Sequence, residues 1–473
     1  MSVRQKDDSF KLPVRYEDTN ESKEFKRRLD KFTLETEINP WIAYYPLTTV
    51  FYIHLLHKYK MNCLLSSSRT KTFVGFYFSF DLQKQTYEGL DAKHIVEQLF
   101  KCIQNGVAII TIPLIINFIE NGNHNPHANI LIYRKKFNTI EHFEPHGKWF
   151  NDNLDMAKLI NSAIEDQVNY LNSLIQNKYV NDPTKLKLVK FISAEDSCPV
   201  IMGFQDVQHR YTKEGRKDHE DGYCGAWSLF FTELALCNPE IQSKDLMDKM
   251  YDRFYNKVTQ SYNYKKMGDY FLDIIRGYSR MIHKKVLKVL DVVFGKDYIT
   301  VGQINDPNLW DTLHSEIGLL VDVEVELLNN PHITRENYYT EIYKDLVDNG
   351  WQVKENNEEL RDPKPEDLKY GTEWIHPNNR FTEKVEDIKR AKIAKHIMKA
   401  IESASLSVQK PPPKPKKPLY INNPQVYDYK KTEKYLKKKR FGLEKFKNLK
   451  NDMTNRVIKV KSLFKRFFTK KRK

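Results

Sequence analysis

Three residues in the first half of the chain have the types and settings for nucleophilic chemistry. Cys224 sits in Gly222-Tyr223-Cys224-Gly225, directly before Trp227, Phe230, Phe231 and Leu234, which recur at helical spacing. The pattern predicts a buried helix with the thiol in its first turn. Unpaired backbone N–H groups and the positive end of the helix dipole favour thiolate there, and thiolate is the nucleophile. Glycine on either side lets a substrate backbone come close.

A thiolate that attacks a carbonyl needs a proton acceptor and a group to orient it. Pro126-His127-Ala128-Asn129-Ile130-Leu131-Ile132-Tyr133 and Thr139-Ile140-Glu141-His142-Phe143-Glu144 flank a polar connection ending in Asn138, which is a hairpin pattern. Pairing of the two strands brings His127 and Glu144 to one hairpin end. His127 then serves as the base and Glu144 as the orienting acid, with Asn129 and His142 as alternative orienters. Cys198, His209, His219 and Cys224 match no compact zinc spacing, so neither metal nor cofactor is expected.

Several elements must hold these groups. Trp41 to Tyr45, Thr49 to Leu56 and Phe73 to Phe78 are apolar and aromatic enough for a core. Ile95 to Ile103 fits a short helix stopping near Gly106. Val107 to Ile112 is β-branched and bounded by Gly106 and Pro113, which predicts a strand buried on both faces. A helix is expected over 154–175 and a strand over 186–192, followed by Met202 to Gln208, a charged loop from Thr212 to Asp221 and the cysteine helix. The order describes an α+β domain.

The chain has 473 residues, is 40% hydrophobic and carries a net charge of +15, enough for a sizeable core with appendages. Lys410 to Lys473 holds 23 Lys and Arg against four acids, a surplus of 19, so the remainder stands at −4. Five scattered cysteines argue against a disulfide framework and for a reducing compartment, with Cys63, Cys102 and Cys237 as packing residues. The charged start predicts no secretory signal. The most apolar run, Val107 to Ile116, is too short to span a bilayer and contains Pro113.

The expected organisation is a charged arm over 1–40, a catalytic domain over 41–270, a helical extension over 271–405, a Pro/Lys-rich linker over 406–428 and a basic amphipathic tail over 429–473. The linker, Lys410-Pro411-Pro412-Pro413-Lys414-Pro415, reads as a stiff polyproline spacer. In the tail, Val457, Val460, Leu463, Phe464 and Phe467 line one helix face between lysine clusters. Nucleic acid, an anionic membrane surface, nuclear import and the body's own acidic surface are its candidate partners through residues 410–473.

The order His, acid, Gln, Cys, with Gly-Tyr-Cys-Gly opening a helix, resembles clan CE cysteine proteases. That group contains ubiquitin-like-protein-specific proteases and the maturation proteases of adenoviruses and other large DNA viruses. Pro-His-Ala-Asn-Ile-Leu-Ile-Tyr, Glu-His-Phe-Glu-Pro-His-Gly and Gly-Tyr-Cys-Gly-Ala-Trp-Ser look most like uncharacterised proteases of giant DNA viruses. The resemblance covers about a third of the chain, from the His127 region to the end of the cysteine helix. It implies an α+β, papain-like or adenain-like core with a central mixed sheet and a nucleophile helix. Carried over, Cys224 matches the nucleophile, His127 the base, Glu144 the orienting acid and Gln205 the oxyanion-hole glutamine, with Gln208 as its alternative. Relatives hold that Gln a short step before the Cys, where this chain has Asp218, so the match makes Thr212 to Asp221 an insertion. Many relatives also carry Trp after the His, a position held here by Ala128.

The resemblance implies a thiol protease, endopeptidase or isopeptidase, acting on viral precursor proteins or ubiquitin-like conjugates in the host cytoplasm, the virion or the nucleus. Adenoviral relatives use DNA as a cofactor, a role open to this tail. The alternative is a catalytically silent binding or virion structural protein whose basic tail binds nucleic acid or membrane. Acyl transfer by the same triad is also compatible with the residues. Oligomeric state is not readable from the sequence.

Overall fold

The computed structural model describes residues 45–70, 72–120, 122–147, 154–182, 187–198, 202–211, 223–256, 259–294, 307–330, 332–354, 360–368, 372–376 and 388–392. These all belong to the first of two compact units, 1–409 and 410–473. The expected arm, linker, basic tail and charged loop over 212–221 lie outside the described residues.

The chain opens with helix α1 (Tyr45–Lys58), then strands β1 (Phe76–Asp81) and β2 (Thr86–Gly89) and helix α2 (Ala92–Gln104). Strands β3 (Ile109–Glu120), β4 (Asn123–Arg134) and β5 (Thr139–Phe143) follow, then helix α3 (Leu154–Tyr179) and strand β6 (Lys190–Ile192). A short turn α4 (Ala194–Ser197) leads to α5 (Phe204–Tyr211), α6 (Cys224–Cys237) and α7 (Ser243–Tyr251). A two-stranded ribbon, β7 (Tyr255–Asn256) with β8 (Ser261–Tyr262), precedes the long α8 (Tyr264–Phe294). Helices α9 (Pro307–Thr312), α10 (His314–Asn329) and α11 (Arg335–Asp348) then lead to a small sheet of β9 (Gln352–Lys354), β10 (Leu360–Arg361) and β11 (Glu373–Ile375). Among the described residues no helix is long and apolar enough to cross a membrane.

The main sheet is mixed, in the order β2-β1-β3-β4-β5-β6, so the fold is α+β. The β1 to β3 and β5 to β6 pairs are parallel and the rest antiparallel. Each parallel pair needs a crossover, supplied by α2 and α3. Both crossovers step the same way across the sheet, so a single handedness puts both helices on one face. Ile95, Val96 and Leu99 of α2 and Ile160, Ile164 and Leu171 of α3 accordingly share one buried cluster with Ile110, Ile112, Leu131 and Tyr133. The opposite face, with Ile109, Ile130, Ile132 and Phe143, is covered by α1, α6 and α8. Burial on both faces is why β3 and β4 read as continuous apolar runs.

The predicted strand starting at Val107 continues through Pro113 to Glu120 instead of ending there. Proline is tolerated in a strand where no ladder partner is lost. The β1 ladder begins one residue later, at Phe76 opposite Leu114, and the neighbour of Pro113 is Gly75, whose missing Cβ makes room for the Pro113 carbonyl. Cys63 and Cys102 correct the reading of both as packing residues: they form a disulfide with Cα atoms 5.8 Å apart. The buried face of α2 meets the segment after α1 there, and Gln98 also holds both backbone groups of Ser66. Helix α8 starts at Tyr264, ahead of the helical extension expected over 271–405, and packs on α6 within one apolar cluster that runs on through Trp310 and Leu320. Residues 388–392 of that extension are helical.

Candidate active site

The β4–β5 hairpin forms as its turn chemistry dictates. Asn138 takes φ +52°, a left-handed conformation that asparagine tolerates, and Ile130 lies opposite Phe143. Continued past the last paired residues, that register sets Glu144 diagonal to His127. His127 Nε2 lies 2.7 Å from Glu144 Oε1, with His127 8% and Glu144 4% exposed. Asn129 and His142 bond to each other at 3.0 Å, and Glu144 is the group on the His127 ring.

Cys224 is the first residue of α6 and is partly exposed. Tyr223 precedes it with no side-chain cap, so the helix start keeps N–H groups for an incoming anion. The His127 ring and the Ala128 backbone N–H both act on the thiol in favour of thiolate. With Nε2 engaged by Glu144, Nδ1 is the ring nitrogen left for the sulfur. Two further contacts lock α6 to the hairpin and a third locks it to α5. Ser228 Oγ donates to the Ala128 carbonyl at 3.0 Å, Phe231 stacks on Phe143 with centroids 3.8 Å apart, and Phe204 wedges against Trp227. Each buried aromatic contributes about 1.5–3 kcal/mol. Phe143 and Ala128 are chain neighbours of Glu144 and His127, so the packing that stabilises the core also sets the site.

The electrostatics follow from these contacts. Burial alone depresses the His127 imidazole, but the Glu144 carboxylate and the Cys224 sulfur outweigh it and push the ring up to about 10. Burial raises the Cys224 thiol, yet its bond to His127, the imidazolium charge and the Ala128 N–H bring it below its usual value. Glu144 is likewise held low, because the His127 charge overrides burial. Neighbouring His142 shows what burial does without a carboxylate hydrogen bond: it falls to about 4. The arrangement therefore favours thiolate and imidazolium side by side.

Gln205 lies in the first turn of α5, which is attached to the turn after β5. Gly203 N donates to His146 O at 2.7 Å and Gln205 N to Pro145 O at 3.0 Å. A Cβ on Gly203 would sit 2.3 Å from Pro145 O, and one on Gly147 would sit 2.4 Å from Gly203 N. Two glycines thus permit a backbone-to-backbone contact that sets Gln205 beside the Glu144 turn. Gln205 is partly exposed, whereas Gln208 is 2% exposed and spends its carboxamide oxygen on Trp227 Nε1 at 3.1 Å. Sequence reasoning missed this attachment, the His146 ring 5.2 Å from that of His127 and the Ala128 N–H on the thiol. The lone glycines in Pro-His-Gly and Met-Gly-Phe were the available signal.

No known protein family and no solved structure matches the chain. An alignment 233 positions long, covering 46% of this chain, is 23% identical to a protein of Acanthamoeba polyphaga mimivirus named putative ankyrin repeat protein L371. The match spans 28% of that protein's length, so it assigns neither a family nor an activity.

Proposed function

We propose that the chain is a thiol protease with a clan CE, papain-like catalytic core, in which Cys224 is the nucleophile, His127 the base and acid, and Glu144 the orienter. The observation that carries this reading is the linked trio: Glu144 on His127 at 2.7 Å and His127 on a partly exposed thiol at a helix start. In this reading the Cys224 thiolate attacks the scissile carbonyl carbon and the carbonyl electrons move to oxygen. The uncapped α6 start, with the Cys224 N–H, stabilises that oxyanion, and the Gln205 amide is the second donor. His127 then gives its proton to the leaving amine, and the C–N bond breaks to leave an acyl thioester. His127 next draws a proton from water, which attacks the thioester and releases the acid and the thiol. Viral precursor proteins and ubiquitin-like conjugates are the substrate classes this reading favours.

The test is labelling of full-length protein with iodoacetamide and with peptide vinyl sulfones, the adduct mapped by mass spectrometry. Cys224 is expected to react far ahead of Cys198 and Cys237, with the advantage lost in His127→Ala. Well-folded protein in which Cys224 reacts no faster than Cys237 would overturn the proposal and favour a silent binding module.

A further inference from the structure

A pocket opens between α1, α6, β3 and β4. Two of its wall residues are chain neighbours of the reactive pair: Ala128 follows His127 and Gly225 follows Cys224. Ala128 is also tied to the nucleophile helix, its carbonyl accepting from Ser228 Oγ at 3.0 Å. The smallest side chains in the wall are therefore those beside the sulfur.

Most hydroxyls in the wall are already spent on backbone carbonyls; the Tyr45 hydroxyl and the Asn129 Nδ2, the latter buried without a hydrogen-bond partner among the described residues, are its remaining polar groups. Thr49 Oγ1 donates to Thr72 O at 3.0 Å, Thr232 Oγ1 to Ser228 O at 2.8 Å, and the Tyr52 hydroxyl to Thr111 O. The rings of Tyr45 and Phe73 meet at 5.1 Å. With Ile115 and Val74 they complete a lining that offers mainly rings and methyl groups to an occupant. A polar occupant would regain few hydrogen bonds for the water it loses there, and an apolar one would gain by burial.

We propose that this pocket is a specificity subsite taking a large apolar side chain, Leu, Met or Phe, from one of the two substrate residues on the acyl side of the scissile bond. The inference rests on the thiol protease reading. The acyl fragment is the part that stays bonded to the Cys224 sulfur, and two residues reach only about 7 Å along an extended chain. Their side chains are therefore held within range of Gly225 and Ala128.

The test uses full-length protein and a series of peptide vinyl sulfones with Gly, Ala, Leu, Phe or Lys at each of the two residues before the electrophile. The rate of adduct formation at Cys224 is read by intact mass, with iodoacetamide as a probe that has no side chain. Leu or Phe at one position is expected to react at least ~10-fold faster than Gly, the range that shape-matched apolar pockets give. Thr232→Phe, which fills the pocket two helical turns from Cys224, collapses that ratio. Ile115→Ala, which enlarges the pocket, moves the preference from Leu toward Phe. Equal rates across the series, or a preference for Gly or Lys, overturn the subsite while His127-dependent iodoacetamide alkylation leaves the nucleophile standing. Iodoacetamide alkylation of Cys224 that does not depend on His127 overturns both.

Discussion

The β4–β5 hairpin carries a buried carboxylate at each end, and the two do different work. Near its turn, Glu141 is 1% exposed and accepts from Arg134 Nε at 3.1 Å, Thr139 Oγ1 at 3.0 Å and the Ser243 N–H at 2.8 Å. At the open end, Glu144 Oε1 takes His127 and the His146 N–H, while its buried Oε2 has no hydrogen-bond partner among the described residues. Arginine stays charged at any working pH, so the Glu141 pair is a fixed joint that anchors the start of α7. Histidine can exchange its proton, so the Glu144 pair is the one of the two able to take part in proton transfer. Burial and a salt bridge therefore do not identify a site, and neither does a titratable partner alone, since His57 and Glu324 form a second such pair at 2.6 Å away from any nucleophile assigned above.

Removing the titratable partner is the strongest way to test that contrast. His127→Ala is expected to lower kcat/KM for peptide hydrolysis by roughly 10³–10⁴-fold in protein that still folds. At the other end, Glu141→Gln strands the Arg134 guanidinium, and chemical denaturation should show a loss of about 3–5 kcal/mol. Vinyl sulfone labelling of the folded Glu141→Gln protein should match wild type; a selective loss of labelling would dissolve the distinction between the ends.

Glu144→Gln should cost about 10²-fold in kcat/KM while the fold persists. Its pH profile is the sharper readout. In the wild type the reactive form is thiolate with imidazolium, so activity rises as pH passes the depressed Cys224 value and falls as His127 loses its proton at about 10. The Glu144 charge holds the imidazole up against burial, so its removal should move the alkaline limb downward. An unmoved limb would mean that Glu144 does not set the His127 proton. The smallest effect is expected from Ser228→Ala, which deletes the bond to Ala128 O: about 0.5–1.5 kcal/mol in stability and a few-fold in rate.

The hairpin and the α6 start were legible because local rules determine them: alternation with an asparagine turn for the first, apolar residues at helical spacing behind a glycine frame for the second. From these two elements the His127, Glu144 and Cys224 assignments followed. Pro113 inside β3, the Cys63–Cys102 disulfide and the anchoring of α5 escaped because each depends on a neighbour distant in sequence. Gly203 is informative only once Pro145 is known to lie against it. The choice between Gln205 and Gln208 likewise needed the Trp227 indole, nineteen residues away from Gln208, to show which carboxamide is already engaged.

The Gly147–Gly203 contact also has a consequence for how such chains diverge. Gln205 is anchored by residues that follow β5, Cys224 by α6 against β4, and α5 to α6 through Gln208 and Trp227, so both positions have anchors outside residues 212–222. Lengthening a loop costs little, about 0.6 kcal/mol per doubling. The Gln-to-Cys interval in sequence can therefore grow while those anchors persist. A search keyed to the Gln-to-Cys interval would pass over such a chain, whereas one keyed to the paired glycines would find it.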